Sequence, residues 1–232
     1  MEQVVSLILI AGVVSMDTTE GPQVLVSEPL VSCSLVGLLF GDVVFGVALG
    51  ILFQLLFIGY LPLGVSRFYD GAMGSLIGTA SLLGAREFFG LSEGMAQAGF
   101  VPALLWGLLV SVLGVHLRQL IRTINGVRIE RYLAQYELNP PRSVAAIHLA
   151  GVGRSFLRGC VMAAVLVPAG ILIMGCLRYL PVVALSTLTD ATYFIGGSAA
   201  ALGVLFWWDR RRYAALSLGA IGGLIWVVMI VI

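Results

Sequence analysis

Pro29-Leu-Val-Ser-Cys-Ser-Leu-Val-Gly-Leu-Leu-Phe-Gly-Asp42, followed by Gly46 through Asp70 with Gly64-Val-Ser-Arg-Phe-Tyr-Asp70 at its end, is the stretch that decides the fold. Apolar runs of this length are not solvated by water. The polar residues set among them are costly in lipid unless they are partnered. The combination points to a membrane transporter with a polar site inside the bilayer. Val24 to Gly41 and Val43 to Leu61 each approach the roughly 20 residues that a spanning helix needs, with only Asp42 between them. A tight hairpin, or a helix broken within the membrane, fits this pattern.

The same punctuation runs outward from there. Val4 to Ser15 is too short to span and reads as a half-span or an interfacial helix, broken by Asp17-Thr-Thr-Glu-Gly-Pro22. The start of the chain has no positive n-region and no small-residue cleavage site, so it does not read as a secretory signal. Gly71 to Leu83 is short and Gly-rich, and Gly84 to Gly94 reads as a polar loop. Phe100 to Leu117 is a clean span. Val152 to Leu177 is long enough to cross at a tilt, with Pro168 able to kink it. Pro181 to Ser186 reads as a fragment, Thr187 to Thr192 as a loop, and Tyr193 to Trp208 and Tyr213 to Ile232 as two closing spans. Short apolar segments bounded by Gly or Pro are the pattern of discontinuous helices, whose backbone is tolerated only where protein buries it or a cavity accepts it. The fold class expected is therefore an all-α, polytopic membrane bundle with broken or re-entrant helices. Inverted repeats would be natural in it, although the two halves share no readable motif. Residues 1–232 form one integral-membrane domain in this account.

Composition agrees. Of 232 residues 59% are hydrophobic and 11% charged, against roughly 25% charged in a soluble domain, and the mean hydropathy is +1.04. All 13 basic residues are Arg, and the formal net charge is +1. No basic surface for nucleic acid is present, and nothing resembles a soluble catalytic domain. Cys33, Cys160 and Cys176 lie in apolar runs without a CxxC pair or a Cys/His cluster, and read as small buried hydrophobes. No metal or cofactor is expected.

Orientation rests on the connection at about 117–142. It carries Arg118, Arg122, Arg128, Arg131 and Arg142 against Glu130 and Glu137, which places it in the cytoplasm. Leu117, Leu120, Ile121 and Ile124 give its first part helical spacing, as a solvated helix or a docking surface. Arg210 to Arg212 argue for the same side, with Trp207, Trp208 and Tyr213 as interface anchors.

Few residues can carry chemistry. Gln54 sits mid-segment and is either helix–helix glue or a ligand for a neutral polyol. Arg67 and Asp70 are three apart; they can pair on a helix, or line a cavity if the segment is irregular. Amides and carboxylates suit sugars, whose hydroxyls they meet in fixed directions. Gln23 and Glu28, beside Pro22 and Pro29, are loop polars or the rim of the same cavity. The candidate sugar ligands are Gln54, Asp70, Gln23, Ser66 and Arg67. His116 and His148 read as boundary histidines rather than phosphoryl carriers. Gly196-Gly197 with Gly203 lacks the strand and the Lys of a phosphate-binding loop.

From Pro29 to Asp70 the chain resembles the IIC subunit of the mannose-type (mannose–fructose–sorbose) sugar phosphotransferase system. Pro29-Leu-Val-x-Cys-x-Leu-Val-Gly, Gly41-Asp42, Gly46, Gly59, Gly64 and Asp70 carry the likeness without a gap. Weaker matches follow at Ile147-His148, Arg158 and Gly196-Gly197…Gly203. The resemblance implies a sugar-translocating permease subunit of the inner bacterial membrane, joined to a IID membrane subunit as a hetero-oligomer. It also implies that soluble IIA and IIB proteins supply the phosphoryl chemistry, so that this chain is not itself phosphorylated. Three positions depart from the family pattern: Gln54 stands for Glu, Pro62 for Asn and Tyr69 for Pro. The departures keep open a different sugar, or a scaffold or regulatory remnant that moves none. An ion-coupled secondary transporter is a further alternative.

Overall fold

The structure is a computed structural model that describes residues 2–18, 21, 23–57, 69–136 and 144–206. The described residues form helices α1 (Glu2–Asp17), α2 (Pro29–Leu39), α3 (Val43–Phe57), α4 (Gly71–Phe89), α5 (Glu93–Ala98), α6 (Phe100–Tyr136), α7 (Val144–Gly175) and α8 (Val182–Phe206), with a 3-10 turn over Cys176–Tyr179 before α8. Ser66, Arg67, Pro62, Gly64, Arg142 and everything from Trp207 onward lie outside the described residues. By length and composition the helical stretches Glu93–Ala134, which takes in α5 and most of α6, and Ala145–Tyr179, which takes in most of α7 and the 3-10 turn, are long and apolar enough to cross a membrane.

The hairpin expected around Asp42 is present. α2 and α3 have 11 and 15 residues, which at 1.5 Å per residue gives about 16 and 22 Å, each short of the roughly 30 Å of a bilayer's hydrocarbon. They turn at Phe40-Gly41-Asp42, where Gly41 takes φ 74°, a conformation glycine adopts without steric cost. Asp42 Oδ1 accepts from Phe45 N at 3.0 Å and so starts α3. The two helices meet at Gly37 and Gly46; a Cβ on Gly37 would stand 2.7 Å from Asp42 O and 2.9 Å from Gly46 Cα. Val24 to Gly41 is thus not one near-span: Val24 to Glu28 is non-helical, and Pro29, in the first turn of α2, opens the helix.

α4 is the centre of the bundle, and here the sequence misleads. Gly71 to Leu83 reads as short and Gly-rich, yet α4 runs 19 residues and is buried on all sides from Ala72 to Ala85. Gly, Ala, Ser and Thr make up much of it because neighbours pack close: α1, α2, α3, α6 and α7 all contact it. The first half of the expected loop Gly84 to Gly94 belongs to α4, which Gly90 ends in the left-handed conformation, φ 62°. Arg86, in its last turn, holds Asp42 at 2.6 Å and Glu93 at 2.7 Å. α2 lies along α4 in parallel: Ser32 meets Ser75 at 3.4 Å, Thr79 donates to Cys33 at 3.1 Å, and Arg86 reaches Asp42.

Two more segments differ from expectation. The connection after Leu117 is helix throughout its described part, since α6 continues to Tyr136. Pro181 to Thr192 is not a fragment and a loop: after Pro181, α8 starts at Val182 and runs through Thr192. Its hydroxyls fold back on the helix: Thr187 donates to Val183 O at 2.9 Å, and Thr189 to Leu185 O and Thr192 to Leu188 O at 3.1 Å. This removes their polarity from the surroundings.

The approach of Gly37 to Gly46 generates a prediction. Gly37→Ala forces one backbone away from the other, a cost of about 1–3 kcal/mol for overpacking. It should lower the thermal midpoint in mild detergent; an unchanged midpoint would mean that the hairpin is not packed this closely.

Candidate functional site

The loop between α1 and α2 is shaped by one carboxylate. Asp17, at the end of α1, accepts from Val24 N at 2.7 Å and from Ser27 N and Ser27 Oγ at 3.1 and 3.0 Å. The loop it gathers is strained, with Gln23 at φ 54° and Leu25 at φ 66°, left-handed values uncommon for residues other than glycine. Strain of this kind persists only where surrounding contacts impose it. The result is to bring Gln23, Ser27 and Glu28 to face α3.

Gln54 of α3 completes the arrangement. Its Nε2 donates to Glu28 Oε2 at 2.9 Å, and its Oε1 accepts from Leu30 N at 3.2 Å. The second bond satisfies one of the free N–H groups at the start of α2. An amide offers two N–H donors and two lone pairs, so Gln54 keeps a donor and an acceptor beyond these bonds. Asp17, Thr18, Gln23, Ser27, Glu28, Gln54 and Tyr69 line a cavity of about 240 Å³, with Leu25, Pro29, Phe57, Gly71 and Ala72 as its apolar or small members. Phe57 and Tyr69 are the residues on either side of the undescribed segment 58–68.

Asp70 is not among the cavity residues. It is fully buried directly behind them, between Tyr69 and Gly71. It caps α4, accepting from Met73 N at 3.4 Å, while its own N–H donates to Ser111 O at 3.1 Å. Its carboxylate lies 2.6 Å from Arg118 Nη2 and 2.7 Å from Arg158 Nη1, with both Arg side chains buried. Arg158 also donates to Ser15 Oγ through Nε at 3.1 Å and Nη2 at 2.8 Å, and Ser15 Oγ donates to Ser155 O at 2.7 Å. Gly114 leaves room for the group: a Cβ there would stand 2.5 Å from Asp70 Cβ. One ionic cluster therefore ties α1, α4, α6 and α7.

The structure brings Gln54 and Gln23 to one cavity and puts Glu28 on it. Ser66 and Arg67, and with Arg67 its expected pairing with Asp70, lie outside the described residues; among the described residues Asp70 pairs with Arg118 and Arg158. Arg118 is thereby corrected: it is not a solvated member of the Arg-rich connection but a buried ion partner. Arg158 was missed as a cluster member. Its signal was a charge inside a spanning segment, which requires a partner. Asp17 was missed because it reads as loop punctuation. Among the described residues, no group of three His, Cys, Asp or Glu side chains is placed to hold a metal.

An apolar helical bundle with a hairpin of two short helices, a polar cavity and a buried ionic cluster is the architecture of an all-α membrane protein. The chain matches the model of the family described as PTS system sorbose-specific IIC component over residues 1–206, and it belongs to that family. It is similar to the fructose permease IIC component of Bacillus subtilis (strain 168), 34% identical over 98 residues, 41% of this chain and 35% of that protein; the match spans about a third of the relative's length. Two solved structures share the fold. One is described as the structure of a membrane protein, with TM-score 0.67 and 21% identity, covering 100% of this chain and 96% of the other. The second is the complex of the mannose transporter ManYZ with microcin E492, with TM-score 0.56 and 20% identity, covering 100% and 95%.

Neutralising Asp70 tests the cluster. Asp70→Asn leaves two buried guanidiniums without their carboxylate, a loss of about 3–5 kcal/mol. It should reduce the folded yield and the thermal midpoint in detergent, beyond any effect on transport. A stable, well-folded Asp70→Asn protein would show that the cluster does not hold the four helices together.

Proposed function

We propose that this chain is the sugar-translocating subunit of a phosphoenolpyruvate-dependent phosphotransferase system, and that a neutral sugar binds in the cavity beside Gln54. The supporting observation is the convergence of two amides, two carboxylates and hydroxyls from the end of α1, the α1–α2 loop, α3 and Tyr69 on one cavity at the base of the α2–α3 hairpin. Family membership supports the same reading. Gln54 and Glu28 are the direct ligands, Gln23 lies on the rim, and Asp17 acts as a positioning residue through the loop it holds. Ser66 and Arg67 remain proposed ligands. Asp70 holds the wall of the site rather than meeting the sugar. The chemistry of phosphoryl transfer belongs to soluble IIA and IIB proteins, and a IID subunit covers the apolar flanks of the short helices, whose ends need protein cover in lipid. The chain lies in the inner bacterial membrane as one multi-pass domain, with the connection after Leu117 on the cytoplasmic side.

Uptake tests the site. In cells carrying the complete set of subunits, sugar uptake should depend on phosphoenolpyruvate. Gln54→Leu removes two or more hydrogen bonds at the cavity, each worth about 0.5–1.5 kcal/mol, and should slow uptake about tenfold or more at an unchanged membrane level. Uptake unaffected by Gln54→Leu would remove the cavity from the mechanism. Uptake without a phosphoryl donor would favour a secondary transporter, and no uptake by the complete parent set would favour a scaffold.

Orientation is tested separately. Gln135→Cys should be protected from an impermeant thiol reagent in intact cells and labelled once the membrane is permeabilised. Labelling from outside would reverse the topology.

A further inference from the structure

α6 has 37 residues and α7 has 32, or about 55 and 48 Å, so both outreach the roughly 30 Å of hydrocarbon in a bilayer. About 20 residues counted from Phe100 reach Gln119, and about 20 counted back from Gly175 reach Ser155. The pairing of α6 with α7 beyond these points falls at the level of the lipid headgroups. A second cavity of about 390 Å³ opens there, lined by Asn125, Arg128, Tyr132, His148 and Arg154 among apolar side chains. It shares no residue with the cavity at Gln54. Arg154, half-buried, donates through Nη1 to Asn125 Oδ1, which fixes its guanidinium in the cleft. The exposed Arg128 is near enough for its charge to act on Arg154. Among the described residues that line the cleft, none is acidic.

We propose that this cleft binds the phosphate of an anionic phospholipid headgroup. Two guanidiniums that repel each other are held together by a shared anion, and their forked N–H groups match the oxygens of a phosphate. In the orientation proposed above the cleft lies at the cytoplasmic end of the bundle, where basic pockets between helices hold such headgroups. The apolar residues Ile129, Leu133 and Ile147 line the same cleft, and they suit the glycerol and first acyl carbons of a lipid better than a freely hydrated ion. Headgroup depth and apolar lining together favour lipid over free phosphate. The occupied cleft would hold the projecting ends of α6 and α7 together and fix the height of the bundle in the membrane.

Native mass spectrometry of the full chain with its membrane partners, released from detergent with phosphatidylglycerol, phosphatidylcholine or inorganic phosphate, tests this. Phosphatidylglycerol should be retained at least about fivefold over phosphatidylcholine, and the preference should fall as ionic strength rises. Arg128→Gln should weaken it about fivefold, and Arg128→Gln with Arg154→Gln should abolish it. Arg122→Gln, outside the cleft, should leave it intact. If the double variant does not fold, Arg128→Gln alone decides, because that side chain is exposed. Equal retention of both lipids, or retention insensitive to Arg128→Gln, overturns the proposal. So does binding of inorganic phosphate without lipid, or an Arg128-dependent association with a soluble phosphocarrier in place of lipid.

Discussion

The carboxylate of Asp70, held between Arg118 and Arg158, is the interaction on which the rest of the bundle depends. Three charges removed from solvent carry a desolvation cost of several kcal/mol per ion, and only close, well-directed contacts offset it. The contacts are close: 2.6 and 2.7 Å to the two guanidiniums. On the Arg158 side the polar shell continues outward through Ser15, whose Oγ donates on to the Ser155 carbonyl. Apolar contact alone discriminates weakly between neighbours within a membrane, since lipid tails are as apolar as Leu. A directed ionic cluster fixes which helices meet and at what height.

From that anchor the position of the hairpin follows. Asp70 starts α4, and α4 supplies the wall along which α2 lies in parallel. Ser32 with Ser75, Cys33 with Thr79 and Asp42 with Arg86 are matched pairs along the two helices, separated in sequence by 43, 46 and 44 residues. The hairpin is thus pinned by a salt bridge at its tip and by Gln54 at its base. Small residues on both helices allow the approach, in the manner of close-packed membrane helices generally. The cavity is what remains at the base, where α2 begins at Pro29 and the strained loop from Gln23 to Glu28 bends round it.

Much of this was legible in the sequence, and the failures share one cause. The hairpin turn at Asp42 could be read because glycine and an acid interrupt two apolar runs, and local chemistry alone dictates such a break. Gln23 and Gln54 could be read as companions because polar side chains in broken apolar segments need company. Arg118 could not, because its sequence neighbours Gln119 and Arg122 are those of a solvated connection; only the fold, by placing Asp70 across from it, makes it a buried ion. α4 was misjudged because Gly and Ser lower local helix propensity, whereas close packing on every side rewards the same residues. The start of α8 was misjudged likewise, since the hydroxyls of Thr187, Thr189 and Thr192 look like loop chemistry until they bond to their own helix.

The amide of Gln54 has a physical account in the same geometry. Its Nε2 donates to Glu28 Oε2 at 2.9 Å. A carboxylate in its place would face the Glu28 carboxylate at hydrogen-bond distance, where like charges repel. A Glu at this position would therefore carry a shared proton, or require a cation close by. Gln supplies the N–H that the Glu28 carboxylate accepts. The same side chain caps α2 through Leu30 N, so its orientation is set by the hairpin before any ligand arrives. An amide already turned and held in this way presents its remaining donor and acceptor in fixed directions.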